Sequence, residues 1–179
     1  IVERLQMAGV QSVVVKICDG LLVFKNLDIL IQTLRANNIR VGAWGYSYLT
    51  KQPIEEAHIV SQACARYKPD FYLIDVEKEV EGNSRGAELF MNELRARTPD
   101  TPLGLNTFWN VNLHPSFPWD VFLKKADFVC PQIYWRGDPP VEELQMCQRS
   151  YADKAGTLGY NISMPIVAGE MFSEGLVKS

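Results

Sequence analysis

Short β-branched or apolar runs alternate with amphipathic stretches along the 179 residues, and this alternation constrains the fold more than any other feature. "SVVVKICDG", "IRVGAWGYSYL", "DFYLIDVEKE", "PLGLNTFWN", "DFVCPQIYW" and "ISMPIVAGE" read as six strands. Helical patterns separate them. "NLDILIQTLRANN" carries Leu27, Leu30, Ile31 and Leu34 on one side, and "PIEEAHIVSQACARY" opens on Pro53, a favoured first-turn residue. "SRGAELFMNELRAR" has Ser84 as its expected N-cap, "PWDVFLKKA" is short, and "PPVEELQMCQRSYADKAG" is long. "IVERLQMAGVQ" reads as a helix tail capped by Gly9. Strands alternating with helices predict an α/β fold with a parallel sheet.

The strand ends choose between a closed barrel and an open sheet. Neither GxGxxG nor GxxxxGK[ST] occurs, so the usual marks of nucleotide-binding open sheets are missing. Each strand instead ends in polar or aromatic residues: Asp19; Tyr46 and Tyr48; Asp75 and Glu77; Asn106 and Trp109; Gln132, Tyr134 and Trp135; Glu170. In a (β/α)8 TIM barrel the strand C-termini converge on one face and build the site. The expectation is therefore a single TIM-barrel domain over 1–179, with six of eight βα units visible and the barrel incomplete at both ends. "CDGLLVFKN" is abrupt and suggests a loop lost between Gly20 and Leu21.

Composition removes several function classes. A net charge of −3 gives no basic footprint for nucleic acid or an anionic membrane. No apolar run approaches the roughly 20 residues that cross a bilayer. Cys18, Cys64, Cys130 and Cys147 are far apart and form no CxxC pair, and His58 and His114 are the only histidines. The expectation is no metal, no cofactor and buried free thiols, which favour a reducing compartment.

The stretch "FYLIDVEKE" drives an apolar strand into carboxylates. Side chains alternate across a strand, so Phe71, Leu73, Asp75 and Glu77 share one face, and Tyr72, Ile74 and Val76 the other. Residues two apart have Cα atoms about 6.6 Å apart. Their carboxyl groups can approach to roughly 5–6 Å, near the spacing of glycosidase pairs. Repulsion between like charges then raises one pKa, and a carboxyl protonated near neutral pH can serve as a general acid. Glu79 and Glu81 read as solvated loop charges.

"FYLIDVE" resembles the Asp-x-Glu strand of the family 25 glycoside hydrolases, the lysozyme-like muramidases, and more loosely the fourth strand of family 18 chitinases. Asp70, Asp75 and Glu77 fill three of the four acidic places of the chitinase pattern, with Leu73 in the other. "QIYW" is similar to the chitinases' Met-x-Tyr-Asp strand, and "GAWGYSYL" to the muramidases' third strand. The resemblance implies hydrolysis of β-linked N-acetylhexosaminides such as peptidoglycan or chitin. Glu77 would protonate the leaving oxygen, and Asp75 would hold the substrate's N-acetyl group while its carbonyl attacks the anomeric carbon. Tyr134 would donate to the acetamido oxygen, and Gln132 would bind a hydroxyl. Trp44, Tyr46, Tyr48, Trp109 and Trp135 would supply platforms for sugar rings, Trp44 being equally readable as core. The partner implied is a polysaccharide, within a larger multidomain protein or assembly, in a phage, secreted or cell-wall setting.

Other residues are less determined at this level. Lys16 lies in an apolar strand with Val14 and Cys18 on its face; it either snorkels at the barrel end or reaches toward the acids. Asp19 is a turn residue or a site acid, with Asn106 among the candidate substrate contacts. His114 reads as incidental, and His58 as surface or helix packing. The competing functions are a non-catalytic glycan-binding or structural barrel, and a barrel enzyme using Lys16 as a Schiff base.

Overall fold

The computed structural model describes residues 1–134, 140–160 and 163. The elements run α1 (Val2–Met7), β1 (Ser12–Asp19), β2 (Leu22–Val23), α2 (Asp28–Ala36), β3 (Arg40–Tyr46), α3 (Pro53–Tyr67), β4 (Tyr72–Asp75), α4 (Ser84–Arg97), β5 (Leu103–Phe108), α5 (Trp119–Lys125), β6 (Phe128–Gln132) and α6 (Pro140–Leu158). One sheet holds the strands in the order β2-β1-β3-β4-β5-β6. From β1 to β6 every pairing is parallel, and only β2 runs antiparallel to its neighbour. The fold is thus α/β with a mostly parallel sheet.

Five of the six expected strands lie where the pattern put them. The sheet also holds β2, a short strand that the sequence reading missed. Asp19 pairs with Leu22 across a two-residue turn, and Gly20 takes φ +52°, a left-handed value that glycine adopts freely. Within "ISMPIVAGE", Ser163 bridges Phe128 in parallel, and its carbonyl accepts from the Val129 amide at 3.0 Å. The rest of that stretch, with Glu170, lies outside the described residues, as does Trp135.

Local chemistry sets the helix ends. Pro53 opens α3, Glu55 and Glu56 follow in its first turn, and Lys68 closes it in the left-handed region. For α4 the cap is Asn83 and not Ser84: its side chain accepts from the Gly86 amide at 2.9 Å, and Ser84 is the first helical residue.

The two faces of the sheet differ. Val15, Val41, Ala43, Tyr72, Ile74, Leu103, Leu105 and Val129 join the helices' Ile31, Leu34, Val60, Phe90, Met91, Leu94 and Phe122 in one core. At about 1.5–3 kcal/mol for each large buried side chain, this layer supplies most of the drive to fold. The opposite face carries Val14, Trp44 and Leu73, with Asp75, Asn106 and Gln132 nearer the strand ends. Toward the strand starts, Phe71 and Phe128 meet edge to face at 5.9 Å. Gly42 and Gly104 make room for them: a Cβ there would fall within 2.3–2.4 Å of the Phe71 and Phe128 rings.

A β-bulge in β1 corrects the expected facing of one residue. Lys16 pairs with Trp44 but Cys18 with Gly45, so Ile17 is an extra residue. Cys18 therefore turns into the helix-side core, its Sγ 3.1 Å from the Tyr72 hydroxyl, and leaves the face of Lys16. Asp19 joins that face instead. Cys18, Cys64, Cys130 and Cys147 are all buried and free, and burial raises each thiol's pKa to about 11 or 12.

The Cys18–Tyr72 contact leaves no room on β3. A Cβ on Gly45 would lie 2.3 Å from Cys18 Sγ and 2.5 Å from the Tyr72 hydroxyl. Gly45→Ala is expected to destabilise by about 1–3 kcal/mol. Gly156→Ala in α6, with nothing within 4 Å, should stabilise by about 0.5–1 kcal/mol. Chemical denaturation of the two variants checks both signs.

Candidate active site

Backbone register places the site. Asp19, Tyr46, Asp75 and Asn106 are successive partners across β1, β3, β4 and β5, and form one row at the strand C-termini. Gln132 stands two residues beyond Cys130, the register partner of Asn106, and reaches back over the row. After Asp75 the chain makes a short 3₁₀ turn, Lys78–Val80. Val76 and Val80, both fully buried, pin the turn on either side of Glu77. Glu77 is left half-buried on the same side as Asp75.

Val14, Trp44, Leu73, Asp75, Glu77, Asn106, Gln132 and Tyr134 line a cavity of ≈ 280 Å³. The Gln132 amide nitrogen donates to Asp75 Oδ1 at 2.9 Å, Glu77 Oε1 at 3.0 Å and Asn106 Oδ1 at 2.7 Å. Two carboxylate oxygens on one nitrogen can be no farther apart than the two bonds end to end, about 6 Å. The Tyr134 hydroxyl donates to Gln132 Oε1 at 3.1 Å.

Asp75 is 7% exposed, and its pKa is raised to about 7. Burial is the main cause and the charge of Glu77 the second; Asp19 adds to the rise, while Lys16 and the Gln132 hydrogen bond oppose it. The raised carboxyl is therefore Asp75, the more enclosed of the pair.

The remaining candidates divide. Lys16 turns neither to Asp75 nor to Glu77: its Nζ is 2.6 Å from Asp19 Oδ2 and 4.6 Å from the Trp44 ring centre. Asp19 also accepts from Tyr48 at 3.1 Å and lines a separate cavity with Gly20, Tyr48, Lys51 and Glu56. Tyr46 donates to Glu79, and burial with that bond pushes its phenol well above the ordinary range. Trp109 packs against the hydrophobic core and is absent from the cavity lining, whereas Trp44 lines it. Among the described residues, no cluster of His, Cys, Asp and Glu is arranged to hold a metal ion.

Some contributors escaped the sequence reading. Glu79 and Glu81 are not idle charges. Glu79 holds Tyr46, and Glu81 accepts from Ser116 and pairs with His114 at 2.7 Å. His114 stacks on Phe108 at 3.4 Å, tying the loop after β4 to the one after β5, so it is not incidental. His58 pairs with Glu93 at 2.8 Å between α3 and α4. Buried Glu56 accepts from the Tyr48 and Leu49 amides and fixes the loop after β3. Its only signal was a position in the first turn of a helix.

No protein-family model matches this chain, and neither does any curated protein. Solved structures do. The modular autolysin LytC of Streptococcus pneumoniae superposes with a TM-score of 0.57 at 14% identity, over 70% of this chain and 33% of that one. The same autolysin has been solved with a synthetic peptidoglycan ligand. A chitinase of Chromobacterium violaceum gives 0.63 at 10% identity, over 85% and 59%. GHIP, a glycosyl hydrolase 25 of S. pneumoniae, gives 0.54 at 20%, over 68% and 57%. The chain thus shares the fold of these proteins and spans a third to three fifths of their lengths.

The Asp75 carboxyl carries a stability signature. Its folded pKa lies above the unfolded value of 3.8, so the native state binds the extra proton between about pH 4 and 7. Its contribution is neutral below that window, falls through it, and is fully unfavourable above pH 7. Asp75→Asn removes the penalty. Relative to wild type, the variant should gain up to a few kcal/mol between pH 4 and pH 8. Denaturant titrations at those two pH values read the gain, and a pH-independent difference would refute it.

Proposed function

We propose that this chain forms the acid-bearing part of a (β/α)8 glycoside hydrolase that cleaves β-linked N-acetylhexosaminides, of the peptidoglycan or chitin type. The observation that carries the reading is the Asp75–Glu77 pair, bridged by one amide at the C-terminal end of a parallel sheet. Consecutive strand order, a helical layer on one face and a cavity on the other support the barrel. A chitinase and an autolysin seen with a peptidoglycan ligand share the fold, which supports the substrate class.

The roles follow from position. Near neutral pH buried Asp75 lies close to its titration point. Glu77, nearer solvent, is the member that a glycosidic oxygen can reach. An acetamido N–H arriving at Asp75 favours its ionised form and drives the proton toward Glu77. Glu77 then protonates the leaving oxygen as the C1–O bond breaks, and the acetamido carbonyl closes on C1. This substrate-assisted route is a known departure from the two-carboxylate scheme. Glu77, now ionised, takes a proton from the water that reopens the ring. Trp44 and Tyr134 offer aromatic surface, and Asn106 a polar contact. Trp135, expected beside them, lies outside the described residues.

The test is release of new reducing ends from peptidoglycan and from chitin oligomers. Glu77→Gln should lower the rate by about 10²–10⁴-fold, and Asp75→Asn by at least 10²-fold. Binding without cleavage by wild type would assign the chain to glycan recognition and end the hydrolase reading.

A further inference from the structure

We propose that Gln132 is the positioning residue of the acid pair: its one amide group, and not a contact with sugar, sets the spacing and orientation of Asp75 and Glu77. The inference rests on the reading of those two as the catalytic pair. Sequence suggested a different job, binding a substrate hydroxyl.

Valence argues for the new role. A glutamine amide has two hydrogens. Three protein oxygens already surround Gln132 Nε2, at 2.7, 2.9 and 3.0 Å. A sugar hydroxyl could take a hydrogen only by displacing a carboxylate or Asn106. The side-chain carbonyl already accepts from Tyr134. Geometry argues the same way. Asp75 is fixed by its strand, but Glu77 lies past the strand end and is half-buried. Left alone, two like charges within about 6 Å would part, with Glu77 swinging to solvent. A shared donor between them opposes that motion. It keeps one oxygen of each carboxyl within about 6 Å of the other. Gln132 also sits on β6, two strands from the acids, so it binds the sheet's C-terminal end across β5.

The charges bearing on Asp75 come from Glu77 on its own chain end and from Lys16 and Asp19 on β1, with Tyr46 of β3 and Tyr72 of β4 close by. None changes in Gln132→Leu, which deletes the amide, or in Gln132→Asn, which withdraws it by one methylene.

Carboxyl carbon NMR of the protein, titrated with and without each substitution, reads the hold directly. Losing the donor should move the Asp75 midpoint upward by about 0.5–1 unit in both variants. On peptidoglycan or chitin oligomers, kcat should fall by about 10–100-fold while KM changes less than about threefold. A midpoint that stays within about 0.2 unit in both folded variants overturns the proposal. So does a raised KM with kcat intact, which would make Gln132 a substrate ligand. If wild type cleaves neither substrate, the hydrolase reading fails, and the titration still decides whether Gln132 holds the pair.

Discussion

The backbone ladder on both sides of β4 is what the rest of the site depends on. The strand is only four residues long, yet its bonding runs past its end. Ser47 N–H donates to the Asp75 carbonyl at 2.8 Å, and Val76 N–H to the Asn106 carbonyl at 3.2 Å. A one-residue slip would send Asp75 into the helical core and Ile74 into the cavity. Apolar burial forbids that slip, since Tyr72, Ile74 and Val76 are all fully enclosed on the helix side. The hydrophobic pattern that folds the strand thus also aims its carboxylate.

That aim has a cost. Enclosing Asp75 raises its affinity for a proton, and Glu77 raises it further. The strain is a few kcal/mol at most, set against a helix-side layer of many large buried side chains. Local sacrifice of this kind at an otherwise well-packed strand end is expected where chemistry is done. The bulge at Ile17 makes a related exchange. One extra residue in β1 sends Cys18 into the core against Tyr72, and swings Asp19 round to pair with Lys16. The bulge therefore shapes the core and the polar rim together.

Sequence periodicity carried most of this architecture, because helix and strand periods report directly on burial. It showed β1, β3, β4, β5 and β6, the shared face of Asp75 and Glu77, and the convergence of Asn106, Gln132 and Tyr134. It failed where a single residue changes the rule. Alternation cannot show a bulge, so Lys16 and Cys18 were set on one face. Asp19-Gly20 is a good hairpin signal, but β2 is two residues long and gives no period to detect. The bonds of Glu79 and His114 join groups 33 residues apart, and Glu56 turns back from α3 onto amides seven and eight residues earlier; no periodicity encodes either kind of contact. Trp109 reads as a strand-end platform; in the structure it is half-buried, packs against the core and lies outside the lining of the cavity beside Asp75.

The charge balance of the cavity narrows its chemistry. Asp19, Asp75, Glu77 and Glu79 cluster at the strand ends, and Lys16 is the cation whose field reaches Asp75. Its ammonium is engaged by Asp19 and lies over Trp44, which argues against a Schiff-base role. A rim of this sign repels phosphate and other strongly anionic substrates. It suits a neutral, hydroxyl-rich ligand that donates hydrogen bonds to carboxylates and lays an apolar ring face on an aromatic one. Trp44 and Tyr134 provide such faces around the pair. Electrostatics and aromatic surface are thus both compatible with the N-acetylated sugar proposed above.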